Sequence, residues 1–204
     1  TGIFNPSEGI EVAGMLQSGT WTTSDTVRVM DDIILHADSS LSIEAGVYVE
    51  FAGPYQFIVN GLLTAMGEPG NNIVFTTINN DPLVDSLRWK GIRFVNAKRG
   101  CSLQFCRIEY GWARGAWPAN NGGGIYISSC SDNIIEGNRI GTQADGVSAL
   151  GNGSHGIEII SPASDATGNV IGGSQAGANV IANNGGNGVQ LTRQTSNVFN
   201  TTIT

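Results

Sequence analysis

A repeat constrains this chain more than any other feature. Gly91-Ile92-Arg93-Phe94, Gly124-Ile125-Tyr126-Ile127, Gly156-Ile157-Glu158-Ile159 and Gly188-Val189-Gln190-Leu191 share one pattern, and their starts lie 33, 32 and 32 residues apart. Each reads glycine, apolar, polar, apolar, the period-2 alternation of a strand with one buried face. Runs rich in asparagine and glycine precede three of them: Asn120 to Gly123, Asn152 to His155 and Asn184 to Asn187. Both residue types accept positive φ, so these runs predict corners that feed the strands. Two more short strands follow in each period: Leu103 to Phe105 with Arg107 to Tyr110, Asn133 to Ile135 with Asn138 to Ile140, Asn169 to Ile171 with Asn179 to Ile181, and Asn197 to Phe199 with Thr202 to Thr204. Three strands in a constant period describe a coil that stacks on itself, whereas a meander needs no long-range period.

The earlier half follows the pattern more loosely. Val27 to Val29, Ile33 to Leu35 and Leu41 to Ile43 predict one coil, and Val47 to Phe51, Phe57 to Val59 and Ile73 to Phe75 predict another. The stack then has about six coils. Residues 1–25 fall outside it and are expected to form an N-terminal cap or arm, with the solenoid over 26–204. Leu103, Ile125, Ile127, Ile157, Ile159, Val189 and Leu191 are expected to stack inside. Arg93, Tyr126, Glu158 and Gln190 occupy the outward position between them and are expected to form a solvated column.

Composition excludes several functions. Lys and Arg total 10 against 17 Asp and Glu, a net charge of -7, which leaves no basic footprint for nucleic acid or an anionic membrane. No apolar run approaches the roughly 18 residues of a membrane span, so no membrane insertion is expected. Three cysteines, Cys101, Cys106 and Cys130, leave at least one thiol free or paired between molecules, and their spacing matches no zinc pattern. With only His36 and His155 as histidines, no metal site and no cofactor are expected. The chain opens on Thr1 rather than Met, as after removal of a secretion signal or at a cut boundary.

Two stretches resemble a known family. Leu41 to Phe51, Val59 to Gly67, Ile73 to Thr76 and Trp89 to Phe94 are similar to the opening coils of secreted bacterial β-helix proteins. Asn133 to Thr142, Ala149 to Gly153 and Asn179 to Gly188 are similar to repeats of large bacterial surface proteins. The chain thus resembles the right-handed parallel β-helix proteins of the pectin-lyase-like superfamily over residues 26–204. The resemblance implies an all-β, single-stranded right-handed parallel solenoid in an extracellular or cell-surface setting. It says little about activity, because the fold hosts lyases, hydrolases, epimerases, adhesins and inert stalks.

Catalysis on polysaccharide needs clustered carboxylates, or a basic residue beside calcium, on one outward face. Asp31-Asp32 and Ser154-His155-Gly156 match two blocks of the polygalacturonase-like hydrolases, but the other blocks are missing. Both stretches read better as turns. Glu109, Glu136 and Glu158 sit on different strand types and are expected to face apart. The expectation is therefore a non-catalytic structural module, with a pectin-lyase-like lyase or hydrolase as the alternative. Ice binding would need repeated Thr-x-Thr columns, which Thr76-Thr77 and Thr201-Thr202 do not supply.

Three sets of candidate residues follow. Tyr110, Trp112, Arg114 and Trp117 share one loop and could stack on sugar rings. Ile10 and Val12 at one end, with Val198, Phe199 and Ile203 at the other, are candidates for head-to-tail assembly, because an uncovered coil end exposes strand edges and apolar side chains. Asn152 and Asn200 head N-glycosylation sequons. The expected partners are a second copy of the chain, or the rest of a longer one, and polysaccharide.

Overall fold

The structure, a computed structural model, describes residues 9–22, 26–78, 88–115, 120–173, 177–195 and 201–204. Its nineteen strands pair only in parallel, in a solenoid-like path. In chain order they are β1 (Ile10–Leu16), β2 (Gly19–Trp21), β3 (Thr26–Leu35), β4 (Ser40–Glu44), β5 (Tyr48–Phe51), β6 (Phe57–Val59), β7 (Leu62–Met66), β8 (Ile73–Thr77), β9 (Ile92–Val95), β10 (Ser102–Gln104), β11 (Cys106–Ile108), β12 (Ile125–Ser128), β13 (Ile134–Glu136), β14 (Arg139–Ile140), β15 (Ile157–Ser161), β16 (Val170–Ile171), β17 (Val180–Ile181), β18 (Val189–Arg193) and β19 (Thr202–Ile203).

β3 bends midway and so serves two ladders. Its start pairs with β5 and its end with β6. From there a first face runs β3-β5-β8-β11-β14-β17 and a second runs β3-β6-β9-β12-β15-β18, while β2-β4-β7-β10-β13-β16-β19 form a third. The chain visits first, second and third faces in turn.

Alternation explains the core. On the second face Ile33, Phe57, Ile92, Ile125 and Ile157 stack in register, and on the third Ile43, Ala65, Leu103, Ile135 and Ile171 do. All are buried. The aligned strands read from sequence are neighbours in the predicted register: Ile125 lies beside both Ile92 and Ile157, and Ile157 beside Val189.

Four details differ from the sequence reading. β1 and β2, from the expected arm, pair in parallel with β3 and β4. Leu62 to Met66 forms the third-face strand β7, so Ile73 to Phe75 opens the next turn on the first face. Thr202–Ile203 pairs with Val170–Ile171 on the third face rather than continuing the ladder of Asn179 to Ile181. Leu191 is 41% exposed rather than buried, because β18 has a neighbour on one side only.

Asparagines hold the corners. Asn138 Nδ2 donates to Leu103 O, and its Oδ1 accepts from Cys106 N. Asn179 repeats this one turn on, accepting from Asn138 N and donating to Ile135 O. Asn133 with Asn169, and Asn152 with Asn184, form two further ladders. One amide thus satisfies a backbone donor of the preceding turn that burial would otherwise leave unpaired, and adds a second donor to a carbonyl that already accepts in the backbone, as Ile135 O does from Gly172 N.

Candidate functional site

The proposed glycan loop is folded onto the solenoid. Arg114 stacks over Trp112 with its guanidinium carbon 3.5 Å from the ring centroid, and Arg88 lies 5.0 Å from it. Gly153 packs so closely on Trp112 that a Cβ there would enter the indole. Arg88 also sits 6.0 Å from the Tyr110 ring and donates to Tyr110 O and Gly151 O. Tyr110, Trp112 and Arg114 are brought together, with the half-buried indole packed against Gly153 and Arg114. Trp117 lies outside the described residues.

Asn152, the asparagine of the first sequon, is buried in a corner. It is 1% exposed, its Oδ1 accepts from Gly111 N at 2.7 Å, and its Nδ2 donates to Asn184 Oδ1 and Ile108 O. Asn200, Val198 and Phe199 lie outside the described residues. Ile10 and Val12 are half-buried in β1, and Ile203 is 53% exposed.

The expected solvated column is covered. Arg93, Tyr126, Glu158 and Gln190 are in register, but Arg93 is only 4% exposed, and Tyr126 and Glu158 are buried. Arg93 stacks on Tyr126 at 4.4 Å and donates to Asn121 O; Gly122 N donates to Glu158. Asn121 and Gly122 thus close over the second face, which a strand-by-strand reading cannot foresee. Desolvation holds the Arg93 pKa below its usual value. Beside this cover lies a cleft of about 440 Å³ lined by Ile58, Val95, Tyr126, Pro162 and Ala163 among others.

His155 lies at a corner before β15, whereas Asp31 and Asp32, expected in a turn, lie within strand β3. His155 Nδ1 accepts from Asn187 N, and Asp32 accepts twice from Gln56 at the bend in β3. Glu136 stands apart from the second-face column, in register with Gln104 on the third face.

Sequence reasoning missed a charged strip on the first face. Register places Glu11, Arg28, Glu50 and Thr76 on consecutive strands, with Glu109 following at the end of β11. Arg28 reaches Glu50 at 4.0 Å, and Arg107 Nε lies 2.8 Å from Glu109 Oε2. Burial pushes the Glu109 carboxyl pKa up, against the opposing pull of Arg107 and a hydrogen bond from Thr76. The Tyr48 hydroxyl is also raised, by burial first and then by Glu109. The signal was present as Tyr48 and Glu50 on β5, Thr76 on β8 and Arg107 on β11, but it appears only once those three strands are known to share a face.

All three cysteines are free and buried. Burial pushes the Cys130 thiol up to about 11 and raises Cys101 and Cys106 as well, so none resembles an activated nucleophile. Among the described residues no group of three His, Cys, Asp or Glu side chains could hold a metal, and no helix is long and apolar enough to cross a membrane. No protein-family model, no curated protein and no solved structure matches the chain significantly.

Proposed function

We propose that the chain is a non-catalytic structural module of a secreted or cell-surface protein. In this reading it is a right-handed parallel β-helix of the pectin-lyase-like type, with about six coils behind the turn made by β1 and β2. It extends end to end, through a second copy or through the rest of a longer chain, and it contacts glycans. The observation that carries the reading is the edge formed by β17, β18 and β19. Each pairs on one side only among the described residues, and Leu191 and Ile203 stand exposed along it. Strand edges attract further strands. Covering apolar surface there favours extension by about 25 cal/mol per Å². Ile10 and Val12 of β1 would meet that edge in a second copy. Sedimentation and electron microscopy of the wild type against Ile203→Lys test this. Axial stacking that the lysine weakens supports it; a monomer at high concentration removes the self-stacking form.

A polysaccharide hydrolase or lyase is the second reading. It is favoured by Glu50 and Glu109, which share the outward strip two strands apart, roughly 9.5 Å at the usual strand spacing, with the Glu109 pKa raised. That separation approaches the upper limit for inverting hydrolases. Release of reducing or unsaturated ends that disappears in Glu109→Gln would establish it.

A further inference from the structure

Five Asn-Gly pairs lie in the chain: Asn60-Gly61, Asn121-Gly122, Asn152-Gly153, Asn184-Gly185 and Asn187-Gly188. Such a pair carries a reaction of its own. The backbone nitrogen after the asparagine can attack the side-chain Cγ, and glycine leaves that nitrogen open to approach because it has no Cβ. What holds the proton of that nitrogen decides whether the attack occurs.

Four of the pairs are held. Gly61 N donates to Leu35 O at 3.2 Å, Gly153 N to Gly111 O at 2.8 Å and Gly185 N to Asn152 O at 2.8 Å. Gly122 N donates to Glu158. Side chains are tied as well: Asn60 Nδ2 donates to Val95 O, and Asn152 and Asn184 belong to a corner ladder. Attack by a bonded amide has to wait for local opening, as hydrogen exchange does.

Asn187-Gly188 differs, and the fold supplies the reason. At this corner each glycine amide donates forward to the following turn: Gly124 N to His155 O, and Gly156 N to Asn187 O. Gly188 is the next glycine in register, at the edge where β18 has a neighbour on one side only. Its N–H donates to no group among the described residues. Asn187 and Gly188 are both exposed. The Asn187 side chain donates from Nδ2 to Gln190 Oε1 at the surface, a contact that engages the leaving nitrogen and not Cγ.

We propose that Asn187 is a site of spontaneous self-modification, converted through a succinimide to aspartate and isoaspartate. The Gly188 nitrogen gives its proton to solvent hydroxide and bonds to Asn187 Cγ; the Cγ–Nδ2 bond breaks and ammonia leaves. Water then opens the ring at either carbonyl. Opening at the main-chain carbonyl routes the backbone through Cγ, which inserts a methylene just ahead of Val189, where β18 begins to pair with β15. Either product replaces a neutral amide with a carboxylate on the open edge. The conversion acts on the edge that the proposed stacking would use, but it does not depend on that stacking.

The test is incubation of the whole folded chain at mildly alkaline pH, followed by peptide mass spectrometry and by labelling with an isoaspartyl methyltransferase. Asn187 should turn from amide to acid about tenfold faster, or more, than the asparagine of any other Asn-Gly pair, with isoaspartate among the products. In denaturant, where no amide is held, all five should convert at similar rates. Gly188→Ala is the control. A Cβ there would come no closer than 3.6 Å to Ile181 Cγ2, and Gly188 is not among the positive-φ glycines, so the fold is kept while the added methyl group should slow ring closure about tenfold. Equal rates at the five pairs in the folded chain overturn the proposal. So does conversion led by one of the bonded pairs, or a rate at Asn187 that Gly188→Ala leaves unchanged.

Discussion

Replacing Asn152 with alanine should be among the costlier single changes at any corner of the solenoid. The side chain accepts from Gly111 N at 2.7 Å and donates to Ile108 O at 3.2 Å and to Asn184 Oδ1 at 2.9 Å. Alanine leaves the Gly111 N–H without this partner, while the Ile108 carbonyl still accepts from Gly141 N at 2.9 Å. Asn184 Oδ1 fares better, because Asn152 N still donates to it. One orphaned buried backbone donor gives a loss of about 1–3 kcal/mol. Aspartate sharpens the test. One carboxylate oxygen can still accept from Gly111, but the other faces two acceptors, Ile108 O and Asn184 Oδ1. Its folded-state pKa is therefore raised, so the Asn152→Asp protein should be most stable at acid pH and lose stability as pH rises through the ordinary Asp value of about 3.9 and above. The assay is denaturant unfolding at several pH values, with hydrogen exchange read at Gly111. Asn183→Ala serves as control, since Asn183 makes an exposed bond to Val147 O. If Asn152→Ala costs no more than Asn183→Ala, the ladder does not satisfy the corner and the argument fails.

Other outcomes follow from the same contacts. Because burial raises the Glu109 pKa, the folded state binds its proton more tightly than the unfolded state; stability should fall as pH rises through about 4.3 and upward, and Glu109→Gln should flatten that slope in melting curves. Trp89 is fully buried, stacks on Phe51 at 4.2 Å and donates to Glu109 O, so Trp89→Ala should cost about 3–5 kcal/mol by chemical unfolding. Gly153→Ala should push Trp112 off its seat, changing near-ultraviolet dichroism and costing about 1–3 kcal/mol. The thiols of Cys101, Cys106 and Cys130 should stay unreactive toward an aromatic disulfide reagent at pH 8 until the protein unfolds; fast labelling of the native chain would contradict their burial.

What the sequence revealed and what it hid divide along one physical line. The register of β9, β12, β15 and β18 was legible because glycine and two alternating apolar positions recur at an almost constant interval, and a parallel stack admits one register for such a pattern. β7 was hidden because Leu62-Leu63-Thr64 blurs the alternation and the inward Ala65 is small. The burial of Arg93, Tyr126 and Glu158 depends on Asn121 and Gly122 folding over them, a contact between a loop and strands three turns deep that no periodicity encodes. Trp112 is a glycan-contact candidate from sequence because a loop tryptophan either packs back or meets a ligand, and its contact with Gly153, unlike that with Arg114, depends on a residue far along the chain. The Glu50 and Glu109 strip needed the pairing of β5, β8 and β11, which the irregular spacing of the first half concealed.

The solenoid meets one problem in two ways along its length. Phe51, Phe57, Phe75, Trp89 and Phe94, all early in the chain, fill the interior with large rings. Beyond Cys106 the inward columns are mostly isoleucine, and asparagines clip the corners instead. Each ladder amide reaches back to the turn before it, as Asn179 does to Asn138 and Asn184 does to Asn152. Stability is therefore passed from each turn to the one before it. Asn179 and Asn184 spend their amides in that direction, and among the described residues no side-chain amide returns the favour at their own corners. The apolar residues of β17 to β19 accordingly stay half-buried or exposed, and hydrogen exchange should find these strands opening early. A partner for that edge must then supply two things, apolar cover for Leu191 and Ile203 and amides for the corners. β1 shifts register at its own bend between Val12 and Gly14 and has no asparagine there. A second copy stacked through β1 would bury the apolar edge and leave the corners to water, whereas a turn of the repeat's own kind would meet both needs.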